Sequence, residues 1–345
     1  MPDRASEPAS GRTPLLNPEV PGDEDFGSFV LAEHKVVYIP CTKVACTTFR
    51  WMVADLAGED FERFFSGGGG FQSRLMTIHR TGKKLWQHAL AYEDSPRSVQ
   101  REISRDDGWF VFGLVRDPWS RLWSAWQSKF LVRQPKYVRL FGDESWFPRV
   151  PKDADEVLAD WRAFVAAEPW ANHPKLIDNW HFLPQVRSVR PEWINYTRIY
   201  DLSEIPALVA DLGAHLERIG KAHPLYLPRA NENPLVFTPA VLAEGVDDAI
   251  RGAYADDLAA FSNFGWRPDN AVKADDWTED AVRMVRFRID SNERIADLAG
   301  ELADAKRKPP VTPAEPPGPA AGPLGRPGTV GRIAGRVRRL TNPNG

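Results

Sequence analysis

Cysteines are scarce in this sequence, and long apolar runs are missing. Only Cys41 and Cys46 occur among the 345 residues, which is too few for a disulfide framework or a zinc site and is typical of a reducing compartment. No run of about 18 apolar residues is present, so the sequence predicts no helix that spans a membrane. Residues 1–25 lack the apolar core of a signal peptide. We therefore expect a cytoplasmic protein.

A strong excess of either charge is also missing. The 44 Lys and Arg residues nearly balance 47 Asp and Glu residues, for a net charge of −3, which gives no electrostatic reason to expect a nucleic-acid partner. No cluster of His, Cys, Asp and Glu has the spacing of metal ligands, so we expect no metal site. The sequence does have 43% hydrophobic residues, over a length that suits one large or two ordinary domains.

Strand patterns alternate with helical patterns through the middle of the chain. Short β-branched or continuously apolar runs predict strands at 35–39, 109–115 and 193–196. Apolar residues at helical spacing follow the first two of these runs, and amphipathic helices are predicted at 153–167 and 203–219. Such alternation predicts an α/β fold with a central parallel sheet.

Composition divides the chain into four segments. Residues 1–26 are polar and are expected to be disordered, and residues 27–268 form the folded domain. Residues 269–308 are expected to carry a C-terminal helix, whose apolar spacing suits either a partner helix in a homo-oligomer or its own domain. Residues 309–345 read as a Pro/Gly-rich linker and a basic tail. The tail suits contact with an anionic membrane surface or a solvated chain without a specific role.

The first of two candidate anion-binding turns follows the strand at 35–39. A helical pattern begins soon after it, so free N–H groups and the positive end of the helix dipole would attract an anion there. The turn contains no glycine, and it is therefore not the glycine-rich phosphate loop of nucleoside triphosphatases. An ordinary turn with a solvent-facing lysine is the alternative. The candidate cofactor-binding residues are Lys43, Val44, Ala45, Cys46, Thr47 and Thr48.

The second turn follows the apolar run at 109–115. Arg116 stands at the end of the predicted strand, where open α/β sheets bind ligands, and a guanidinium can hold a phosphate in a bidentate way. Asp117 and Pro118 suit the start of a helix, and Ser124 lies off its aromatic stripe. The alternative is that Arg116 pairs with a carboxylate such as Asp117 and that Ser124 is a surface hydroxyl.

Together the two turns resemble the donor-binding motifs of the Golgi carbohydrate sulfotransferases. The first is similar to their 5′-phosphosulfate loop, Pro-Lys-Val-(Ala/Gly)-Cys-Thr, although Cys41 and Thr42 separate Pro40 from Lys43 here. The second, residues 115–126, is similar to their 3′-phosphate motif, Val-Arg-Asp-Pro-x-x-Arg-Leu-x-Ser-Ala-Tyr, with Trp in place of Tyr.

Two later segments support the resemblance, which runs in order from about residue 35 to residue 267. Residues 179–185, Asn-Trp-His-Phe-Leu-Pro-Gln, are similar to the family's His-Trp-x-Pro-Gln stretch. Residues 254–265 are similar to its C-terminal Tyr-x-x-Asp-Phe and Phe-Gly ending.

The resemblance implies a P-loop-like three-layer α/β fold and a PAPS-dependent sulfotransferase. PAPS is 3′-phosphoadenosine 5′-phosphosulfate, and its sulfuryl group would pass in line to a hydroxyl of a carbohydrate or glycolipid acceptor without a metal. Lys43 and the amides of 44–48 would neutralise charge that grows on the 5′-phosphate. Arg116 and Ser124 would anchor the 3′-phosphate and so align the sulfate.

A general base should accept the proton of the acceptor hydroxyl. His88 precedes the second strand, where related sulfotransferases often carry a catalytic histidine, and His181 lies in the family-like segment 179–185. Both are candidate catalytic residues beside Lys43, and His79 and Glu93 are weaker candidates. For His181, a structural hydrogen bond in the turn at Pro184 is the alternative.

Two other functions compete with sulfuryl transfer. A P-loop nucleotide kinase would need a glycine-rich loop with Lys-Ser/Thr and a magnesium-binding Asp after an apolar strand, and that loop is missing from the sequence. A non-enzymatic interaction protein on a degenerate sulfotransferase fold would have no need of Lys43, Arg116 and Ser124.

Overall fold

A computed structural model describes residues 13–16, 27–65, 74–230, 232–243 and 245–307. The chain divides into two compact units, 1–301 and 302–345. Of the second unit, only residues 302–307 are described, and they are helical. The predicted linker and basic tail therefore lie outside the described residues, and membrane contact through that tail stays a prediction.

The centre of the first unit is a four-stranded sheet in the order β1-β2-β3-β4. Strands β2, β3 and β4 are parallel, and β1 joins β2 in the antiparallel direction at one edge. Because parallel strands end at the same edge of a sheet, the turns that follow β2 and β3 are neighbours. The strands are β1 Phe29–Leu31, β2 Val36–Ile39, β3 Phe110–Val115 and β4 Arg198–Asp201.

Helices connect and cover the strands. The α-helices are α1 Cys46–Leu56, α2 Phe61–Phe65, α3 Arg97–Glu102, α4 Pro118–Trp126, α5 Pro135–Phe141, α6 Ala154–Ala167, α7 Pro169–Asn172, α8 Val186–Val189, α9 Ile205–Arg218, α10 Val246–Ala253, α11 Ala255–Ala260, α12 Pro268–Ala271 and α13 Glu279–Arg307. A single π-helical turn, Gln127–Leu131, directly continues α4. The 3-10 turns are Ala32–His34, Arg74–His79, Leu202–Glu204, Pro239–Leu242 and Ser262–Phe264.

Two apolar clusters support the site. One packs the sheet against α1 and α9. The other is strongly aromatic and lies under α4, where the rings of Trp123 and Trp126 stack at 5.1 Å and Trp161 packs edge-on at 5.1 Å from Trp123. Every residue of α4 is buried, so its aromatic stripe is core. A helix fixed along its whole length holds the turn at its N-terminus in one place.

The predicted α/β fold with a central, mostly parallel sheet flanked by helices is confirmed, with differences in detail. The strand predicted at 193–196 lies instead at 198–201, because Ile194 forms an isolated bridge with Leu16 and the ring of Tyr196 packs against Gly113. Leu16 belongs to a segment, 13–16, that was expected to be disordered. Its neighbour Leu15 is 2% exposed and bonds through its N–H to Ile103, so this piece is part of the core.

The C-terminal helix predicted within residues 269–308 runs from Glu279 to Arg307. Val282, Val285 and Ile289 are buried in the aromatic cluster, and Asn292 Nδ2 donates to the carbonyl of Val132 at 2.6 Å. The first half of α13 thus docks on its own domain. Among the described residues, no helix is both long and apolar enough to cross a membrane.

Candidate active site

The turn between β2 and α1 has a left-handed backbone without glycine. Lys43 and Ala45 have φ of 65° and 48°, a region that costs an ordinary residue about 1 kcal/mol or more. A turn with left-handed residues can aim successive N–H groups at one anion. This strained backbone lies in the turn where the sequence predicts that an anion binds.

The N-terminus of α1 has no capping side chain. Its N-cap residue is Ala45, and no side chain bonds the first-turn N–H groups. Those groups carry the positive end of the helix dipole and need an acceptor. A phosphate or sulfate would supply one, and Lys43 stands beside it.

The residues inserted before Lys43 are firmly held. Arg121, which is 1% exposed, donates from Nε to the carbonyl of Thr42 at 3.1 Å and from Nη1 to the carbonyl of Leu183 at 2.9 Å. Thr42 Oγ1 donates to the carbonyl of Trp180. Cys41 is buried, and burial raises the pKa of its thiol to about 11. The two-residue departure is therefore an anchored part of the turn.

Lys43 faces a second lysine, which sequence reasoning missed. Lys43 Nζ donates to Ser128 Oγ at 2.9 Å, and Lys129 follows on the π-helical turn, where its Nζ donates to Gln134 Oε1 at 3.1 Å. Burial and the charge of Lys129 lower the pKa of Lys43 to about 7. Burial also lowers the pKa of Lys129 to about 8. An anion bound near both ammonium groups would offset the repulsion between them.

The hydroxyl groups of the first turn have partners within the protein. Thr47 Oγ1 lies 2.8 Å from His79 Nε2, and Thr48 Oγ1 donates to the carbonyl of Pro228 at 2.9 Å. The side chain of Val44 is fully buried, so only its backbone N–H could bind an anion. The candidate contribution of this turn is thus its amides and Lys43.

The second turn differs because its helix is already capped. Asp117 accepts a bond from the Ser120 N–H at 2.7 Å and another from the Ser120 hydroxyl. Arg116 Nε donates to Ser120 Oγ at 2.7 Å. The predicted alternative of a direct Arg116–Asp117 pair is replaced by a bridge through Ser120. Both Nη groups of Arg116 lack a hydrogen-bond partner among the described residues, so the guanidinium keeps a free fork.

Ser124 is 6% exposed and bonds to a distant segment. Asn233 Nδ2 donates to its Oγ at 2.6 Å, which leaves the hydroxyl hydrogen of Ser124 to be donated elsewhere. The segment that carries Asn233 also carries Pro228, the acceptor for Thr48. It therefore contacts both turns.

His181 is oriented as a base would need to be. The Oδ1 of Asn179 lies 3.1 Å from the backbone N of His181 and 2.9 Å from its Nδ1, and Asn179 Nδ2 donates to Tyr137 Oη at 3.0 Å. The backbone N–H can only donate, so this oxygen must accept, and Nδ1 carries the ring proton. Nε2 then has a free lone pair. Burial and the charges of Lys129 and Lys43 lower the pKa of His181 to about 2.

The other three base candidates, His79, His88 and Glu93, differ in burial and in position. His79 lies at the end of the 3-10 turn Arg74–His79, and burial with the charge of Arg50 lowers its pKa to about 3. His88 is exposed, and its N–H bonds to Glu59 at 2.7 Å. Glu59 follows the C-terminal end of α1, about 16 Å along the helix from the first turn. Glu93 is also exposed. The structure does not bring His88 to the first turn.

The two family-like later segments meet beneath the second turn. Asp257, which is fully buried, accepts from the N–H groups of Gln185 and Val186, each at 2.9 Å. Gln185 in turn exchanges two bonds with the backbone of Arg116, at 2.9 and 2.8 Å. This network fixes the end of β3 and the base-bearing segment relative to each other.

Sequence reasoning missed the groups that act through tertiary contact. Arg121, Gln185 and Asp257 lie within the family-like segments, so those segments carried the signal. Lys129 and Asn233 lie outside those segments, and no local pattern in the sequence marks either residue. Within the described ranges, no group of three or more His, Cys, Asp and Glu side chains could hold a metal ion.

Comparison with known proteins agrees with this geometry. No curated protein and no solved structure matches the chain. The family model described as "Sulfotransferase family" matches residues 27–231, more than half of the chain, and the match includes both turns, Lys129 and His181. The chain belongs to the sulfotransferase family.

Proposed function

We propose that the protein transfers the sulfuryl group of PAPS to a hydroxyl of a carbohydrate or glycolipid. Sulfuryl transfer in general follows from the family; the donor and the acceptor are the proposal. One observation carries it: an uncapped helix N-terminus with Lys43 and a free Arg116 fork stand at the ends of adjacent parallel strands. A donor with a phosphosulfate at one end and a separate phosphate needs two such sites.

The two turns would divide the donor between them. The amides of 44–48 and Lys43 bind the 5′-phosphosulfate, and Arg116 with Ser124 binds the 3′-phosphate. As the S–O bond to the 5′-phosphate breaks, negative charge grows on the bridging oxygen, and Lys43 and Lys129 stabilise it. The sulfur forms its new bond to the acceptor oxygen in line, and PAP, the donor without its sulfuryl group, leaves. Charge stabilisation by two lysines needs no metal.

The acceptor proton would go to Nε2 of His181. The bond to Asn179 holds the ring in the required tautomer. Burial and the charges of Lys129 and Lys43 lower the pKa of His181 and so weaken it as a base, and the negative charge of a bound donor would offset the effect of the two lysines. His79 is the second candidate, but its Nε2 already contacts Thr47. His88 plays no part in this proposal.

An exposed indole supports a carbohydrate acceptor. Trp180 precedes His181 and is 50% exposed, whereas the tryptophans of α4 are core. A flat ring beside the base offers a surface on which the apolar face of a sugar can lie. Trp180→Ala should therefore raise the KM for the acceptor and leave the KM for PAPS unchanged.

The test is donor binding followed by transfer. Thermal shift and calorimetry with PAP, adenosine 5′-phosphosulfate and ATP distinguish the donor site from a nucleotide kinase, since only PAP has the 3′-phosphate. We expect PAP to bind and the other two to bind at least tenfold more weakly, the loss of roughly one charged contact. Preference for ATP would overturn the proposal in favour of a kinase.

Transfer of ³⁵S from PAPS to a panel of glycans and glycolipids then tests the reaction. Sulfated products identify the acceptor class. Tight PAP binding with no transfer to any acceptor of the panel, or to water, would favour the non-enzymatic alternative. Mass spectrometry of sulfated metabolites with and without the intact gene identifies the natural acceptor.

A further inference from the structure

The outer face of α13 carries an apolar stripe that its own domain leaves open. Phe287, Met284 and Leu298 are 64%, 45% and 43% exposed. At about 100° per residue, these three share an arc of about 80° with Ser291 and Ile295. We call these five residues the outer stripe. Apolar rows of this kind on a surface helix mark interaction sites.

The stripe points away from the domain because the opposite face is fixed. Val282, Val285 and Ile289 are buried, and Arg288 Nη1 donates to the carbonyl of Glu232 at 2.6 Å. Arg133 Nε pairs with Glu293 Oε1 at 3.2 Å. Rotation of the helix to bury the stripe would break all of these contacts. Only a surface from outside the domain could therefore cover the stripe.

Charges beside the stripe form an ordered row. The four residues lie on one flank, in the order Arg283, Asp290, Arg294 and Glu301. All four are exposed. Arg283 pairs with Asp280 inside the helix, and the other three have no ion-pair partner among the described residues. The row reads plus, minus, plus, minus.

We propose that this face binds the same face of a second copy of the chain, with the two helices antiparallel. A two-fold axis near Asn292 sets Phe287 against Leu298 of the other copy. It also sets Arg283 against Glu301 and Asp290 against Arg294, so every charge of the row meets its opposite. A parallel pair would set Arg283 against Arg288 instead. The charge row therefore selects the antiparallel homodimer.

The expected dimer is reversible. A single helix pair buries less surface than the 1,200–2,000 Å² or so of a standard stable interface, so dissociation in the micromolar range is expected. Sedimentation velocity of the full chain from about 1 to 100 μM should show a shift from monomer to dimer. Phe287→Asp should abolish that shift. Val150→Asp is the matched control, because Val150 is 45% exposed outside α13, and it should leave the shift unchanged.

Charge variants test the antiparallel arrangement. Arg283→Glu with Arg294→Glu makes the row wholly acidic, and Asp290→Arg with Glu301→Arg makes it wholly basic. Each double variant alone should stay monomeric, and an equimolar mixture should form a one-to-one dimer. All four positions are exposed, so circular dichroism and the thermal transition should match the wild type.

Three results would overturn the proposal. They are a wild type that stays monomeric at about 100 μM, double variants that each dimerise alone, and a mixture that stays monomeric. A mixture without dimer would mean that the acidic and basic rows do not face each other. A partner of another kind then becomes the explanation for the stripe. Neither readout depends on sulfuryl transfer, so the outcome is independent of the proposed reaction.

Discussion

The two strand–turn–helix units of the site follow adjacent parallel strands, but their helices are capped differently. At α1 the N-cap is Ala45, and no side chain occupies the first-turn N–H groups. At α4 the N-cap is Asp117, and its carboxylate bonds the Ser120 N–H. A carboxylate already holds the second helix end, so an anion must bind there through the Arg116 side chain. The two turns thus offer an anion different groups, backbone N–H groups at the first and the Arg116 side chain at the second.

Because their helix caps differ, the two turns are suited to different roles in the reaction. The open helix end with Lys43 is suited to charge that changes during the reaction, because its dipoles are fixed before the reaction starts. The capped turn is suited to a charge that does not change, because in our proposal its guanidinium holds the 3′-phosphate, which is remote from the breaking bond. Loss of the Lys43 charge should therefore mainly lower turnover, and loss of the Arg116 guanidinium should mainly lower affinity.

The largest effect is expected at His181, which stands beside the first turn. His181→Ala should lower kcat by roughly 10²–10⁴, the usual contribution of a general base, with little change in PAP affinity. The measurement is ³⁵S transfer at saturating PAPS. His88→Ala, at the far end of α1, is the matched control and should retain wild-type turnover. If the His88 variant loses activity and the His181 variant keeps it, the base assignment is wrong.

Lys43 gives the next largest effect. Lys43→Met should lower kcat by about 10²–10³, the cost of losing one donor to the developing charge, and PAP binding should survive in part. Calorimetry with PAP alongside turnover separates these outcomes. A variant with near-normal turnover would show that the open helix end does not act on the breaking bond.

Arg116 should show the opposite pattern. Arg116→Ala removes charge-assisted hydrogen bonds worth roughly 1.5–3 kcal/mol each, so PAP affinity should fall at least tenfold while kcat at saturation changes little. A binding comparison with adenosine 5′-phosphosulfate, which lacks the 3′-phosphate, identifies the contact. Loss of discrimination between the two ligands is expected. Unchanged PAP affinity would assign the 3′-phosphate to another group.

A cap introduced at the first turn should make the two turns more alike. Ala45→Asp places a carboxylate at the open helix end, and both Asp and Asn tolerate the left-handed backbone there. PAP affinity should fall roughly tenfold in Ala45→Asp and much less in the neutral Ala45→Asn. Thermal stability without ligand should be unchanged or higher in both. Equal PAP affinity in the two variants would mean that no anion lies at this helix end.

Sequence patterns predicted these two turns because each is a contiguous segment. A strand, a turn and a helix follow one another, and local spacing is enough to place Lys43 and Arg116. The position of the sheet edge follows from the parallel order of the strands. The sequence also shows that the first turn lacks glycine, but it does not show that Lys43 and Ala45 adopt left-handed backbone conformations.

The contacts that surround Lys43 and His181 could not be predicted in the same way. Lys129 lies on a π-helical turn, where the side-chain direction departs from the helical spacing that its sequence suggests. His79 was a weaker base candidate and Asn179 lies in a family-like segment, but their contacts with Thr47 and His181 are tertiary or side-chain contacts that spacing does not show. His88 was a reasonable candidate from its place before β3, but the Glu59 carboxylate holds that segment at the wrong end of α1. Long-range contacts of this kind leave no local pattern.

The smallest effect, on the pH profile, tests whether Lys129 belongs to the first turn. Lysine is charged below its pKa. Burial and the charge of Lys129 lower the pKa of Lys43 to about 7, and Arg116 and Arg121 lower it further by smaller amounts. Cys46 has the opposite effect and raises this pKa. In the free enzyme, kcat/KM for PAPS should therefore fall as the pH rises above about 7. Lys129→Met removes the largest neighbouring charge that lowers this pKa, so the alkaline limb should move to higher pH. Lys129→Arg keeps the charge and should leave the limb in place. If the alkaline limb of Lys129→Met stays at the wild-type pH, Lys129 does not affect the pKa of Lys43. The positive charge at the first turn would then come only from Lys43 and the N-terminus of α1.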